Sequence, residues 1–251
     1  EQQVDKLPTQ KIYDKFENGD NCVHLGRGNA KDEIVRGVNI ALNVKHITDV
    51  KLATDIVNAW CHACSLGKED VPSPNDAFHF LFYWIGDRIK RNLGDLTFYE
   101  VMIAAYHNLS SGQCNKRSII YNDIIEPFFT WAKDLWDYEY NIRTLKERED
   151  CSEYKSNFKF IEKLEKAKEA YKELCDRCGK SDYSGNSYCI EFKSKHIDRG
   201  KCIDGELTEL NCKTIQKPLV SSSGAVVTNE VQLDQDPGSA GLTAGSKNMC
   251  I

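Results

Sequence analysis

The stretch Asp76–Ile89, with the sequence DAFHFLFYWIGDRI, holds the densest aromatic cluster in the chain. A helix that is apolar on nearly all sides must be surrounded by other elements, because an isolated helix can bury only one stripe. Ser73 is suited to cap the N-terminus of such a helix, Pro74 suits its first turn, and Gly94 follows its basic last turn. The pattern therefore predicts a central buried helix over residues 74–91. A buried strand is disfavoured because the run is longer than an ordinary strand.

Amphipathic patterns on both sides of this stretch predict further helices that would surround it. Apolar residues recur at helical spacing in three segments before residue 66. They are Ile12 and Phe16 in the first segment, Ile34, Val38, Ala41 and Leu42 in the second, and Ile47, Val50, Ile56, Val57, Trp60 and Cys64 in the third. After the central stretch, Thr97–Glu100 has the form of a capping box and predicts the start of another helix.

Two longer helical patterns follow. The first runs from about residue 116 to residue 149, and Pro127 within it predicts a break or a new helix start, because proline cannot continue a helix unkinked. Its expected buried residues are Phe128, Trp131, Leu135 and Trp136. The second pattern predicts one helix of about six turns, with Lys and Glu on its solvated faces. Its apolar positions are Tyr154, Phe158, Ile161, Leu164, Ala167, Tyr171 and Leu174.

The chain has eleven cysteines, of which ten precede residue 217. A chain of 251 residues can bury a core without covalent links, so this many cysteines indicates an oxidising location and disulfide bonds. The disulfide candidates are Cys22, Cys61, Cys64, Cys114, Cys151, Cys175, Cys178, Cys189, Cys202 and Cys212, while Cys250 is expected to stay outside the set. The alternative is a reduced intracellular protein in which the C-x-x-C pairs Cys61/Cys64 and Cys175/Cys178 bind zinc or act as redox thiols. These pairs lie more than a hundred residues apart, which favours disulfides to other segments.

The character of the sequence changes twice after residue 174. Residues 175–212 hold five cysteines and four glycines and predict a smaller Cys-rich region, with short helices, tied back to the helical body. Residues 217–251 contain no aromatic side chain, and such a segment cannot bury enough apolar surface to offset the entropy of ordering. We therefore expect an all-α, disulfide-stapled domain over residues 1–216 and a disordered, low-complexity tail or stalk over residues 217–251.

Composition and motifs argue against several classes of function. The formal net charge of −5 gives no basis for a nucleic-acid surface. No run approaches the roughly 18 apolar residues that a membrane helix needs. The six histidines are scattered without the spacing of a metal or catalytic motif, so we predict no catalytic residue, no metal site, no cofactor and no enzymatic activity. Asn108 begins the sequon Asn-Leu-Ser and is a candidate glycosylation position.

Two blocks of the sequence resemble a known family. The opening Asp5–Phe16 (DKLPTQKIYDKF) and the block Phe80–Asp87 (FLFYWIGD) are similar to the variant interspersed repeat (VIR) proteins of malaria parasites (Plasmodium), part of the PIR superfamily. The Cys-rich region and the low-complexity tail fit the same plan, so the resemblance covers residues 5–216 in order. The family has a cysteine at the position of Phe78, for which Cys64 is a candidate replacement, and the disulfide pairing is therefore left open.

The resemblance implies a variant surface antigen with a mostly helical ectodomain, displayed at the surface of infected red blood cells. A membrane helix C-terminal to this chain would anchor it in the host cell membrane. Its partners would be a host cell-surface protein or an antibody, with roles in adhesion, antigenic variation and immune evasion and no enzymatic role. The residues themselves leave two alternatives open. One is the intracellular zinc or thiol-redox protein, and the other is a structural or export-related protein without a host ligand.

Overall fold

The computed structural model describes residues 6–18, 22, 30–66, 73–93, 97–109, 114, 120–203, 207 and 209–212. By its internal contacts the chain divides into two units, Glu1–Ile215 and Gln216–Ile251. All the described residues belong to the first unit. The predicted tail, residues 217–251, lies outside the described residues.

The predicted all-α class is confirmed, because helices dominate the described part of the chain and only one short hairpin accompanies them there. The helices are α1 (Pro8–Asn18), α2 (Ala30–Val44), α3 (Val50–Ser65), α4 (Pro74–Lys90), α5 (Phe98–His107), α6 (Glu126–Leu145), α7 (Cys151–Tyr154), α8 (Phe158–Cys178) and α9 (Ser187–His196). A 3₁₀ turn spans Ser181–Tyr183, and the strands are β1 (Ile197–Asp198) and β2 (Lys201–Cys202).

The central buried helix predicted over residues 74–91 is confirmed as α4. The Ser73 hydroxyl caps it by accepting a hydrogen bond from the Asn75 backbone N–H at 3.2 Å. The whole run from Phe80 to Ile85 is buried, and α4 packs against α1, α3, α5 and α6. Gly86 allows the Phe129 ring of α6 to pack directly against the backbone of α4, since a Cβ at this position would lie 2.2 Å from that ring. The predicted stop at Gly94 lies outside the described residues.

The three amphipathic segments before residue 66 form α1, α2 and α3. Most of their predicted stripe residues are buried, as expected. Val50 is an exception: it is the first residue of α3 and is exposed. The Asp49 side chain, which sequence analysis did not single out, caps α3 by accepting from two backbone N–H groups. At α5 the predicted capping box is wrong, because the helix does begin at Phe98 but the Thr97 side chain makes no capping hydrogen bond.

Proline determines where α6 begins. The predicted pattern from residue 116 resolves into a non-helical segment at 120–125 and a helix that starts at Glu126, with Pro127 in its first turn. This confirms the new helix start predicted at Pro127, a position that tolerates the missing N–H. On the buried face, Phe128 and Leu135 are fully buried, whereas Trp131 and Trp136 are only half-buried.

The helix predicted from Tyr154 to Leu174 is wrong as a single element. The chain turns at residues 155–157, so Tyr154 belongs to α7, and Asn157 caps α8 by accepting from the Lys159 and Phe160 backbone N–H groups. This restart turns Phe160 into the core and leaves Phe158 78% exposed. A side chain that caps a helix overrode a continuous apolar periodicity here.

The Cys-rich region contains an element that sequence analysis missed. After α9, strands β1 and β2 pair antiparallel across a tight turn, with Ile197 opposite Cys202. Arg199 and Gly200, the two residues between the strands, both have positive φ, 49° and 80°. Two positive φ values match the twist of a two-residue hairpin, and glycine adopts one of them without strain.

Candidate functional site

Five disulfide bonds join all ten cysteines that precede residue 217. The bonded pairs are Cys22–Cys61, Cys64–Cys114, Cys151–Cys212, Cys175–Cys202 and Cys178–Cys189. Their Cα–Cα distances range from 4.8 to 6.0 Å, within the usual span of a disulfide. The predicted disulfide-stapled fold is therefore confirmed, and these bonds supply the pairing that the sequence left open.

The first two bonds converge on one end of α3. Cys61 and Cys64 lie on successive turns near the C-terminal end of this helix. Cys61 holds Cys22, which follows α1, and Cys64 holds Cys114, which follows α5. Chain positions from three parts of the sequence are thus fixed at the same end of one buried helix.

The other three bonds hold the Cys-rich region on α7 and α8. Cys175 and Cys178, on successive turns at the end of α8, bond to the hairpin and to α9 respectively. The zinc alternative required four free cysteines in the two C-x-x-C pairs, but each of these cysteines has a different disulfide partner. Within the described residues, no group of three or more His, Cys, Asp or Glu side chains is arranged to hold a metal ion.

A buried charge cluster, which sequence analysis did not find, joins α1, α6 and α8. The Asp137 carboxylate is fully buried and accepts hydrogen bonds from Tyr13 Oη at 2.8 Å, Lys133 Nζ at 2.8 Å and Lys163 Nζ at 3.1 Å. Lys133 Nζ also lies 3.5 Å from Asp87 Oδ2 of α4. We call these five residues the Asp137 cluster.

The ionisation of this cluster follows from its pairing. Burial alone would raise the pKa of Asp137, but the charges of Lys133 and Lys163 and the hydrogen bonds from Lys133 and Tyr13 outweigh it, so the pKa lies below its usual value. Burial and the nearby Asp137 raise the pKa of the Tyr13 hydroxyl well above its usual value. Asp137 is therefore charged at neutral pH and Tyr13 is not, and the charges of Asp137 and Asp87 raise the pKa of Lys133 despite its burial, which suits a structural link better than proton transfer.

A small cavity of about 20 Å³ lies between α4, α6 and α9. It is lined by Tyr83, Tyr121, Ala132, Leu135, Trp136, Glu139, Tyr188, Glu191, Phe192, Lys195 and His196. Glu191 accepts a hydrogen bond from Tyr121 Oη at 2.7 Å, and His196 Nε2 lies 3.4 Å from Glu139 Oε1. Burial raises the pKa of Glu139, because the low dielectric disfavours its charged form. His79 of α4 stacks on the Trp136 ring next to this cavity, and burial lowers the pKa of its imidazole.

An exposed groove with a partly apolar lining lies between α2 and α5 and has a volume of about 410 Å³. Its lining consists of Ala41, Lys45, Tyr99, Glu100, Ile103, Ala104, His107 and Asn108. Lys45 Nζ and Glu100 Oε2 form an ion pair in it at 2.8 Å. Ile103 is the one large aliphatic side chain in this lining, and it is 40% exposed. We call the surface formed by these lining residues the α2–α5 groove.

The predicted sequon residue Asn108 lies in the α2–α5 groove. Its Nδ2 donates a hydrogen bond to the Ala104 backbone oxygen at 3.2 Å. Its side chain also packs against α2, since a Cβ on Gly37 would lie 2.9 Å from Asn108 Oδ1. The amide nitrogen that would carry a glycan is thus engaged in a hydrogen bond to the last turn of α5, while the amide oxygen of the same side chain lies against α2. Ser110 of the sequon lies outside the described residues.

The fold and these surfaces define a disulfide-bonded helical domain with a buried aromatic core and an exposed groove between α2 and α5. Comparison with protein-family models, with curated proteins and with solved structures finds no match. Among the described helices, none combines the length and the apolar composition needed to cross a membrane.

Proposed function

We propose that this chain is the ectodomain of a variant surface antigen of the VIR type, within the PIR superfamily, displayed at the surface of an infected red blood cell. A membrane helix C-terminal to the chain would anchor it in the host cell membrane. Its partner would be a host cell-surface protein or an antibody. The domain would act in adhesion and immune evasion by binding and by presenting a variable surface, without enzymatic activity.

The set of five disulfides is the observation that carries this proposal. Disulfides persist in extracellular and other oxidising environments and are rare in the cytosol, where thiols are kept reduced. Ten cysteines joined in five bonds within one helical domain therefore favour an exposed location. The same bonds weaken the intracellular alternative, because they occupy the thiols that zinc binding or redox exchange would use.

The α2–α5 groove supports a binding role over a purely structural one. Contiguous exposed apolar surface is uncommon on a soluble monomer and often marks an interaction site. Ala41, Ile103 and Ala104 provide apolar contacts in the groove, while Lys45 and Glu100 provide a polar rim. An apolar centre with a polar rim is the usual anatomy of a protein–protein interface. We therefore assign the contact with the host cell-surface protein to this groove.

A binding screen of residues 1–216, with the disulfides intact, against host cell-surface proteins tests the function directly. We expect saturable binding to at least one of them, and loss of binding after reduction and alkylation. The variant Ile103→Asp should weaken the binding at least tenfold, because it places a charge in the apolar lining of the groove. Ile190→Asp is the matched control, since Ile190 is 55% exposed but lies on α9.

Two outcomes would contradict the proposal at different levels. If no host protein binds the oxidised domain, the structural or export-related protein without a host ligand becomes the better interpretation. If binding occurs but Ile190→Asp weakens it as much as Ile103→Asp does, the function stands and the assignment to the groove fails.

A further inference from the structure

Trp136 carries a polar group that no other described residue satisfies. Its indole Nε1 is buried and has no hydrogen-bond partner in the described part of the chain. The other tryptophan at the α4 core is different, because Trp84 Nε1 donates to Glu17 Oε1 at 3.1 Å. Leaving a buried donor unpaired is costly, and buried polar groups that lack a protein partner are normally paired with ordered water.

The space for such a partner exists, because Trp136 lines the cavity between α4, α6 and α9. The cavity volume of about 20 Å³ exceeds the roughly 10–15 Å³ that one water molecule requires. Tyr188 lines the same cavity and is only 7% exposed. Glu139 adds a carboxylate acceptor to the lining. The cavity therefore offers hydrogen-bonding groups from both α6 and α9.

The chemistry of the lining selects the ligand. A molecule that pairs Trp136 with Glu139 must accept a hydrogen bond from the first and donate one to the second. An ammonium ion or a metal cation cannot accept, and a simple anion cannot donate, although Lys195 and His196 also line the cavity. Water can accept and donate at once, and it fits the volume.

We infer that the cavity is a binding site for one ordered water, which joins Trp136 and Glu139 of α6 to Tyr188 of α9. The disulfide of α9, through Cys189, joins it to the end of α8. The water would add to the contacts of α9 with the rest of the body, which include His196 Nε2 at 3.4 Å from Glu139 Oε1 of α6. This site is independent of the proposed function, because it concerns the interior of the domain and no partner.

Nuclear magnetic resonance of the oxidised, ¹⁵N-labelled chain tests the inference. Cross-peaks between water and each indole Nε1–H are recorded as nuclear Overhauser effects in the laboratory and rotating frames. We expect opposite signs in the two frames for Trp136, which mark a water that tumbles with the protein, and no such peak for Trp84. Ala132→Val adds methyl carbon to a buried residue of the cavity wall and should abolish the Trp136 peak.

Tyr188→Phe is the second variant, because it keeps the ring and removes one partner of the water. It should reduce the Trp136 peak by at least half, even if Ala132→Val does not fold. A wild-type chain without the Trp136 peak would overturn the inference. A peak of unchanged intensity in folded Ala132→Val, or a peak lost on adding ammonium chloride but not sodium chloride, would overturn it equally.

Discussion

Replacing Asp137 by alanine tests how the helical domain is held together. Asp137 is fully buried on α6 and bonds Tyr13 of α1, Lys133 of its own helix and Lys163 of α8. The substitution leaves the Lys133 ammonium, whose side chain is only 12% exposed, without its nearest carboxylate. It also leaves the Tyr13 hydroxyl without an acceptor.

The magnitude follows from these contacts. Removing one partner of a buried ion pair costs about 3–5 kcal/mol, because an uncompensated charge stays buried. Lys133 keeps Asp87 at 3.5 Å, and Lys163 is partly exposed and can turn toward solvent. For both reasons we expect Asp137→Ala to lower the free energy of unfolding by about 3 kcal/mol, the lower end of this range. For a domain of this size that corresponds to a fall in Tm of roughly 6–12 °C.

Urea denaturation with intact disulfides, followed by circular dichroism and by tryptophan fluorescence, measures the loss. Asp134→Ala is the matched control, since Asp134 Oδ1 lies 4.0 Å from Lys163 Nζ and its side chain is partly exposed, so we expect less than about 1 kcal/mol. Combining Asp137→Leu with Lys133→Met should recover part of the stability, because it removes both buried charges. A loss below about 1 kcal/mol for Asp137→Ala would refute the assigned role.

The ionisation of Asp137 also determines how the stability difference between the wild type and Asp137→Ala depends on pH. The pKa of Asp137 in the folded domain lies below its usual value of about 3.9, so folding favours the charged form. Its contribution is fully present above pH ~3.9 and is lost as pH falls through the folded-state pKa. The stability difference between the wild type and Asp137→Ala should therefore be constant at neutral pH and shrink in acid. A stability difference that grows below pH ~4 would contradict the expected direction of the Asp137 pKa shift.

Three further predictions concern the core and the cysteines. Trp84→Ala should lower the free energy of unfolding by about 3–5 kcal/mol, because the ring is almost fully buried, and a near-wild-type melting curve would contradict this. Gly86→Ala should cost about 1–3 kcal/mol through the clash with Phe129, whereas Gly185→Ala, where no atom lies within 4 Å, should leave the urea midpoint unchanged. Mass spectrometry of alkylated, unreduced protein should find Cys250 as the one modified cysteine, and modification of several of the other ten would argue against the disulfide set.

The helices were predictable where local sequence and tertiary packing agree. In α4, the Ser73 cap, Pro74 and the all-apolar run point to the same structure, and its bounds agree with the prediction within one residue. At the start of α8 two local signals conflict, because the apolar spacing from Tyr154 continues through a turn where the Asn157 cap starts a new helix. Periodicity alone could not place that restart, since the positions on either side keep the same register of threes and fours.

The interior sites were not predictable, because their members are far apart in the chain. Lys133 and Asp137 are four residues apart on α6, a spacing that in isolation indicates a pair on a solvated helix face. Only packing with Tyr13, 124 residues away, and with Lys163 buries this pair. The cavity beside Trp136 likewise takes its lining from three helices and from Tyr121, and no local pattern marks it.

The disulfides act on a domain that does not need them to form a core. The apolar run of α4 and the helices around it already bury a continuous cluster of side chains, which includes Cys61 and Cys178. The closed loops span 11 to 61 residues, and each bond of this kind contributes about 2–4 kcal/mol by restricting the unfolded chain. Because Cys22 and Cys114 lie outside the helices, their bonds fix where the chain leaves the helical body. Substitutions outside the helices can then change the surface while α3 and α4 stay in place, a property that the proposed variant antigen requires.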